Sequence, residues 1–325
     1  MASLIGSRGH TGVGMSPGAT KDGYPVPLLA DIGGPEDLAA AMAHGAEGVG
    51  LYRTEFLFLD RTTPPAQEEQ EAAYRSVLEA FPSGRVVVRV LDAGADTPLP
   101  CLPARGEEPN PALGERGLRM LSRHLDVLMT QLAALARSVT GLTTELHVMA
   151  PMVTDSEDAR FFAAACAGAG IEHPGIMIEV PAAALRAHDL IDEVEFFSIG
   201  TNGLAQYTCA ADRQVDALAR LRDPWQPALL DLVAASGHAA HGAGKGCGVC
   251  GEAAADPALA CVLVGLGVTS LSMNAPSLSM VRAALAAHTM DQCRRAAELA
   301  RTALSTAEAC TAARTELHAL DDLGL

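Results

Sequence analysis

Arg53, Arg89 and Arg213, with Glu179 and Cys250, are the residues of this chain whose types and spacing point to joint chemistry. Arg53, Arg213 and Cys250 end or follow short apolar runs, whereas Arg89 and Glu179 lie inside them, Glu179 in "IMIEVPAAA" (176–184). Guanidinium forks converging on one point clamp a small anion through paired hydrogen bonds. A carboxylate in an apolar run needs a partner, and beside bound phosphate that partner is Mg²⁺, which completes its shell with phosphate and water. A thiol titrates near enough to neutral pH to protonate an enolate carbon. The set describes a site for a small ligand with a carboxylate, a phosphate and an enol that must gain a proton. Taken singly, the residues have plainer explanations. Arg53 and Arg213 read as surface ion-pair residues, and Cys250 as a small buried hydrophobe.

The elements that must position these groups alternate along the chain. Apolar runs occur at 24–32, 48–52, 86–92, 146–152, 176–180, 196–200, 246–251 and 268–273. Most are near-continuous, as strands buried on both faces should be. Helical patterns separate them. "TDSEDARFFAAACAGAG" opens with Thr154 and Glu157 at capping-box spacing and closes on Gly168. Pro276 starts another helix, and the pattern from Asp291 to Leu317 reads as one added C-terminal helix. Eight strand–helix alternations predict a closed (β/α)8 TIM barrel, a single α/β domain over 23–290. Residues 1–22 read as a flexible lead-in, and 291–325 as a helical extension.

Chemistry in such a barrel belongs at the carboxyl ends of its strands. Arg53 stands there after the second strand, and Arg89, Asp92 and Asp96 at the third. Glu179, Asn202, Cys250 with Glu252, and Met273 with Asn274 follow on the fifth to eighth. The segment "SIGTNGLAQY" (198–207) reads as a strand stopping in a polar loop around Asn202 and Gly203, where a positive φ would explain the glycine. Met149, Met152, Met177 and Met273 read as barrel packing.

The chain carries 23 Lys and Arg against 39 Asp and Glu, a net charge of −16, which argues against a nucleic-acid or anionic-membrane surface. An anionic ligand must therefore be held by a local arginine cluster. The eight scattered cysteines read as reduced cytosolic thiols, and Cys247 with Cys250 lacks the second ligand pair a zinc site needs. No run of apolar residues is long enough to cross a membrane.

Six segments, in order, resemble one family. "GAEGVGLYRTEFLFLDR" (45–61) is similar to the signature of the phosphoenolpyruvate-utilising barrel, in particular that of enzyme I of the bacterial sugar phosphotransferase system. "RVLDAGADTPLP", "NPALGERGLR", "IMIEVPAAA", "FFSIGTNGLAQYTCAADR" and "GVCGEAAADP" follow in the family's order. The resemblance implies that Arg53, Arg89 and Arg213 bind phosphoenolpyruvate, with Asn202 and the adjoining backbone at Gly203 on its phosphate. It implies Glu179 as a Mg²⁺ ligand and Cys250 as the acid that protonates the pyruvate enolate. It further implies a cytoplasmic homodimer, and a phosphoryl acceptor histidine on a separate swivelling domain that serves a phosphocarrier protein. None of the ten histidines lies in the acceptor's Thr-Ser-x-His context; "RGHTG" around His10 is a faint lookalike.

Two positions depart from the family's pattern. Gly203 stands where the motif has a second metal-binding aspartate, and Thr97 where the third motif has a lysine. Three readings follow: a phosphotransferase barrel, a non-catalytic phosphoenolpyruvate-sensing or dimerisation module, and a Mg²⁺-enolate lyase or aldolase on the same barrel.

Overall fold

A computed structural model of the chain describes residues 15–94, 99–102, 106 and 108–325. His10, Asp96 and Thr97 lie outside the described residues. Eight parallel strands close into a barrel in sequential order. They are β1 (Leu28–Ile32), β2 (Val49–Arg53), β3 (Arg85–Arg89), β4 (Glu145–Ala150), β5 (His173–Ile178), β6 (Phe196–Gly200), β7 (Gly246–Cys250) and β8 (Ser270–Met273). The expected (β/α)8 barrel is the observed fold.

The two burial environments of each strand explain the continuous apolar runs. Leu28, Ala30, Val49, Val86, Val88, Ile176 and Val249 point outward into the layer beneath the helices. Leu51, Val87, Met149, Met177, Phe196 and Cys250 form a separate cluster in the barrel lumen. Both faces are dry, so little alternation survives in the sequence. The same geometry disposes of the Cys-x-x-Cys pair: Cys247 joins the outer core and Cys250 the lumen, so strand pleating sends them to opposite faces. All eight cysteines are free.

At the amino-terminal mouth His147 stacks on His173, with ring centroids 4.5 Å apart, and meets the Phe196 ring edge-on. Burial, with Arg85 and His173 beside it, pushes His147 down to about 3, so it is neutral packing remote from the rim. β5 begins three residues before the apolar run read as its start, because Pro174 hides the strand in the sequence.

Several element ends differ from the sequence reading. Residues 201–207 are helix, not loop: Thr201–Thr208 begins directly after β6. Helix Ser156–Ala169 is capped by Asp155, whose side chain accepts from the N–H groups of Glu157 and Asp158, and it ends on Gly170 at φ 81°. An Asp one residue after Thr154 reaches the same amides with a stronger acceptor, which displaces the expected Thr154 cap. The C-terminal pattern divides into Met290–Arg301, Thr306–Glu316 and Ala319–Leu323, because Ser305 restarts the chain as an N-cap for Glu308. Residues 18–22 are tied to the barrel: the Gly18 N–H donates to Glu47, and the Met290 N–H to Asp22. No described helix is long and apolar enough to cross a membrane.

Candidate active site

The carboxyl ends of the strands surround a cavity of about 340 Å³. Arg53, Arg89, Glu179, Asn202, Gly203, Arg213 and Cys250, all seven residues singled out from the sequence, line it. Arg53 and Arg89 terminate β2 and β3 at paired positions of the ladder, which sets their guanidinium groups side by side. Asn202 and Gly203 belong to the first turn of helix Thr201–Thr208, whose leading N–H groups have no intrahelical acceptor. A helix start facing a cavity is a natural seat for phosphate. Thr201 adds a buried hydroxyl with no partner among the described residues.

Reading along the sequence missed three members of the site: Glu55, Arg116 and Gln206. Arg116 donates to Asp92 through Nε at 3.3 Å and Nη2 at 2.8 Å, a two-pronged pair. Arg89 lies between Glu55 and Asp92, 3.2 Å from each. Its Nε is buried without a partner among the described residues, the kind of donor that a ligand would complete. Arg116 belongs to the quoted segment "NPALGERGLR", and Gly117 behind it was the available signal. Gly117 has φ 57°, and a Cβ there would lie 2.9 Å from Met152 Cγ.

Electrostatics makes the cavity an anion trap in an acidic protein. Four arginines line it against three carboxylates, Glu55, Asp92 and Glu179. Burial works against the Arg89 charge, but Glu55 and Asp92 outweigh it and keep the group firmly cationic. Burial also opposes ionisation of Asp92, yet Arg89 and Arg116 hold that carboxyl below its ordinary value. Glu179 is treated differently. Burial, reinforced by the Asp92 charge, pushes it up to about 7, with Arg89 and Arg116 only partly offsetting this.

One Glu179 oxygen, Oε1, accepts from the Met152 N–H at 2.8 Å. Met152 adopts φ 58°, a costly conformation for a residue with a side chain, and this turns its amide toward Glu179. The other oxygen faces Gly203: a Cβ there would lie 2.8 Å from Oε2. Gly203 is not among the left-handed glycines, so the turn explanation fails. The missing Cβ is what lets Glu179 pack this closely against the helix, its own Cβ 3.1 Å from the position a Gly203 Cβ would take.

No cluster of three or more His, Cys, Asp or Glu able to hold a metal occurs among the described residues. Both Asp92 oxygens are committed to arginines, whereas Glu179 engages Oε1 with the Met152 N–H and turns Oε2 toward Gly203. Such a donor set fits Mg²⁺ only where a ligand phosphate supplies further oxygens.

The perturbed carboxyl has a measurable consequence. Its folded-state value lies above the unfolded one, so the contribution to stability is full below about pH 4.5 and is lost as pH rises through about 7. Glu179→Gln removes this titration. Its unfolding free energy relative to the parent should rise by roughly 2–3 kcal/mol between pH 5 and 8, read by urea titration. Parallel pH profiles for the two proteins would show that the carboxyl is not strained by burial.

Cys250 sits on the cavity floor, its Sγ 3.6 Å from the Ile199 carbonyl oxygen. Burial, with the Asp31 charge, pushes the thiol up to about 12, so it is a thiol and a potential acid at neutral pH. Glu252, Met273 and Asn274, also read as rim residues, do not line this cavity; Asn274 caps the turn at Ser277.

Residues 8–290 match the family described as PEP-utilising enzyme, PEP-binding domain. A phosphoenolpyruvate-protein phosphotransferase from Streptomyces coelicolor is 66 % identical over 303 residues, covering 93 % of this chain and 54 % of that protein. One from Haloferax volcanii is 46 % identical, covering 82 % and 49 %. A multiphosphoryl transfer protein from Rhodobacter capsulatus is 41 % identical, covering 91 % and 35 %. This chain thus spans about half the length, or less, of these relatives. Among solved structures, a citrate lyase from Burkholderia xenovorans matches with a TM-score of 0.53 at 15 % identity, covering 95 % of this chain and 94 % of its own, a likeness of fold.

Proposed function

Since the chain belongs to the PEP-utilising enzyme family over its PEP-binding domain, we propose that it is the phosphoenolpyruvate-binding barrel of a phosphoenolpyruvate-protein phosphotransferase. The observation that carries this reading is the convergence of four arginines, a helix N-terminus and a buried thiol on one cavity. Arg53, Arg89 and Arg213 neutralise the ligand's carboxylate and phosphate, while Asn202 and the first-turn amides seat the phosphate. Glu179 would hold Mg²⁺, which when bound neutralises charge on the phosphate being transferred. An acceptor histidine on a separate domain takes the phosphoryl group as the bond to the enol oxygen breaks. Cys250 then gives its proton to the methylene carbon of the enolate, forming pyruvate and leaving a thiolate. No histidine lines the cavity among the described residues, which agrees with an acceptor supplied from elsewhere.

Gly203 supports a second reading, a barrel that binds phosphoenolpyruvate without turning it over, because the space beside Glu179 Oε2 lacks a second carboxylate. One experiment separates the two. The chain is mixed with Mg²⁺, phosphorus-labelled phosphoenolpyruvate and a separately supplied histidine-bearing domain. Label should appear on that domain as a phosphohistidine, and none on this chain alone. Binding by calorimetry without any transfer would favour the sensing reading, and absence of both would sink the function. In the same assay Gly203→Asp should strengthen Mg²⁺-dependent binding about tenfold or more, the effect of one added charged ligand worth roughly 1–3 kcal/mol. Equal Mg²⁺ dependence in both proteins would show that the glycine does not limit metal binding.

A further inference from the structure

The reaction leaves Cys250 as a thiolate, and the residues around it bear on how its proton returns. Asp31, at the carboxyl end of β1, accepts a hydrogen bond from the Ser272 hydroxyl of β8. Ser272 is the ladder partner of Cys250 across β7 and β8, so the two side chains stand together on the lumen side. Gly50 makes room for the hydroxyl: a Cβ there would lie 2.5 Å from Ser272 Oγ. Beneath them a void of about 10 Å³ is lined by Ser198, Ser270 and Ser272, with Gly50 and Gly248. That is about the size of one water, and Arg85 with Leu29, Val87 and Phe196 completes its lining. Ser272 thus stands between the Asp31 carboxyl, to which it donates, and Cys250, its ladder partner.

We propose that Asp31 is a positioning and proton-return residue for Cys250, its carboxyl passing a proton through the Ser272 hydroxyl to the thiolate left when the enolate is protonated. The proposal rests on the role assigned to Cys250 above. The balance is simple. The Sγ–H bond breaks as the new C–H bond of pyruvate forms. Asp31 O–H gives its proton to Ser272 Oγ as the Ser272 proton moves to sulfur, and water reprotonates Asp31. The charged and titratable groups facing Asp31 are Arg53 and Arg89, and those facing Cys250 are Asp31, Arg89 and Arg53. Burial shifts the Asp31 carboxyl upward from its ordinary value, with the Ser272 hydrogen bond and Arg53 offsetting it.

Asp31→Asn keeps the shape and removes the proton. Exchange of pyruvate methyl protons into deuterated water, followed across pH by NMR, should slow by about tenfold or more and lose the titration belonging to Asp31. Phosphoenolpyruvate affinity by calorimetry should stay within about threefold, because Asp31 does not line the ligand cavity. Alkylation of Cys250 by iodoacetamide, read by mass spectrometry, gives a measure independent of turnover. Removing the neighbouring negative charge should move its pH midpoint down by about one unit. Exchange abolished by Cys250→Ala but unaltered in rate and pH profile by Asp31→Asn would overturn this proposal and leave the Cys250 role intact. Exchange surviving in Cys250→Ala would overturn both. If the parent shows no exchange, an unmoved alkylation midpoint in Asp31→Asn overturns the proposal.

Discussion

Arg89→Met should both destabilise the protein and destroy its grip on phosphoenolpyruvate. Arg89 is nearly buried and lies 3.2 Å from Glu55 and from Asp92. Removing the cation leaves Glu55 without its ion-pair partner and Asp92 dependent on Arg116 and the more distant Arg213. Breaking a buried ion pair from one side costs about 3–5 kcal/mol, which should appear as an early urea transition. Loss of a charged donor to the ligand should weaken binding by roughly tenfold to a hundredfold in calorimetry, since such bonds are worth about 1.5–3 kcal/mol. Arg89→Lys serves as the contrast. It restores the charge and most of the stability, but a point charge cannot reproduce the fork, so binding should remain weak. Stability within about 1 kcal/mol of the parent for Arg89→Met would mean that the triad does not depend on its central cation.

Cys250→Ala should leave ligand affinity within a few fold and cut enolate protonation by about 10²–10⁴, the range of general acid catalysis. A thiol is a poor partner for phosphate, so its value lies in its proton. Burial and the Asp31 charge hold that proton up to about pH 12. The pH dependence of protonation below that value must then come from groups other than this thiol. Pyruvate methyl exchange measures the step directly, and an undiminished rate in the variant would remove Cys250 from the chemistry.

Arg89 and Cys250 both stand out in the amino-acid sequence, but the sequence exposes the members of this site unequally. Arg53, Arg89, Glu179, Asn202 and Cys250 were legible because each lies at or beside the carboxyl end of a strand, which a closed parallel barrel gathers, and Arg213 because it lies in a quoted motif after the sixth. Arg116 sits between β3 and β4 with no strand to mark it, and its pairing with Asp92 spans 24 residues. Asp31 was hidden for a different reason. It ends a strand, but its meaning depends on Ser272, which lies 241 residues away and becomes its neighbour when β1 closes on β8.

Element limits show the same division. The interior runs of the strands were readable because burial on two faces demands apolar residues throughout. The helix at Thr201–Thr208 was not, since "TNGLAQYT" carries the polar and glycine signals of a loop. Its first turn is stabilised by position, directly after β6 and against the cavity.

The sequence alone determined the barrel and most of its rim, because strand periodicity and end residues are local properties of the chain. Tertiary structure decided the charge state and the geometry. Glu179 and Glu55 are both carboxylates in the sequence, and only the fold buries one beside Asp92 and pairs the other with Arg89. Gly203 stood in the sequence where the resembled motif has an aspartate; the fold makes it the point where Glu179 packs against an ordinary helical turn. Desolvation and proximity arise only when distant segments meet, and those two effects set what each group at the rim can do.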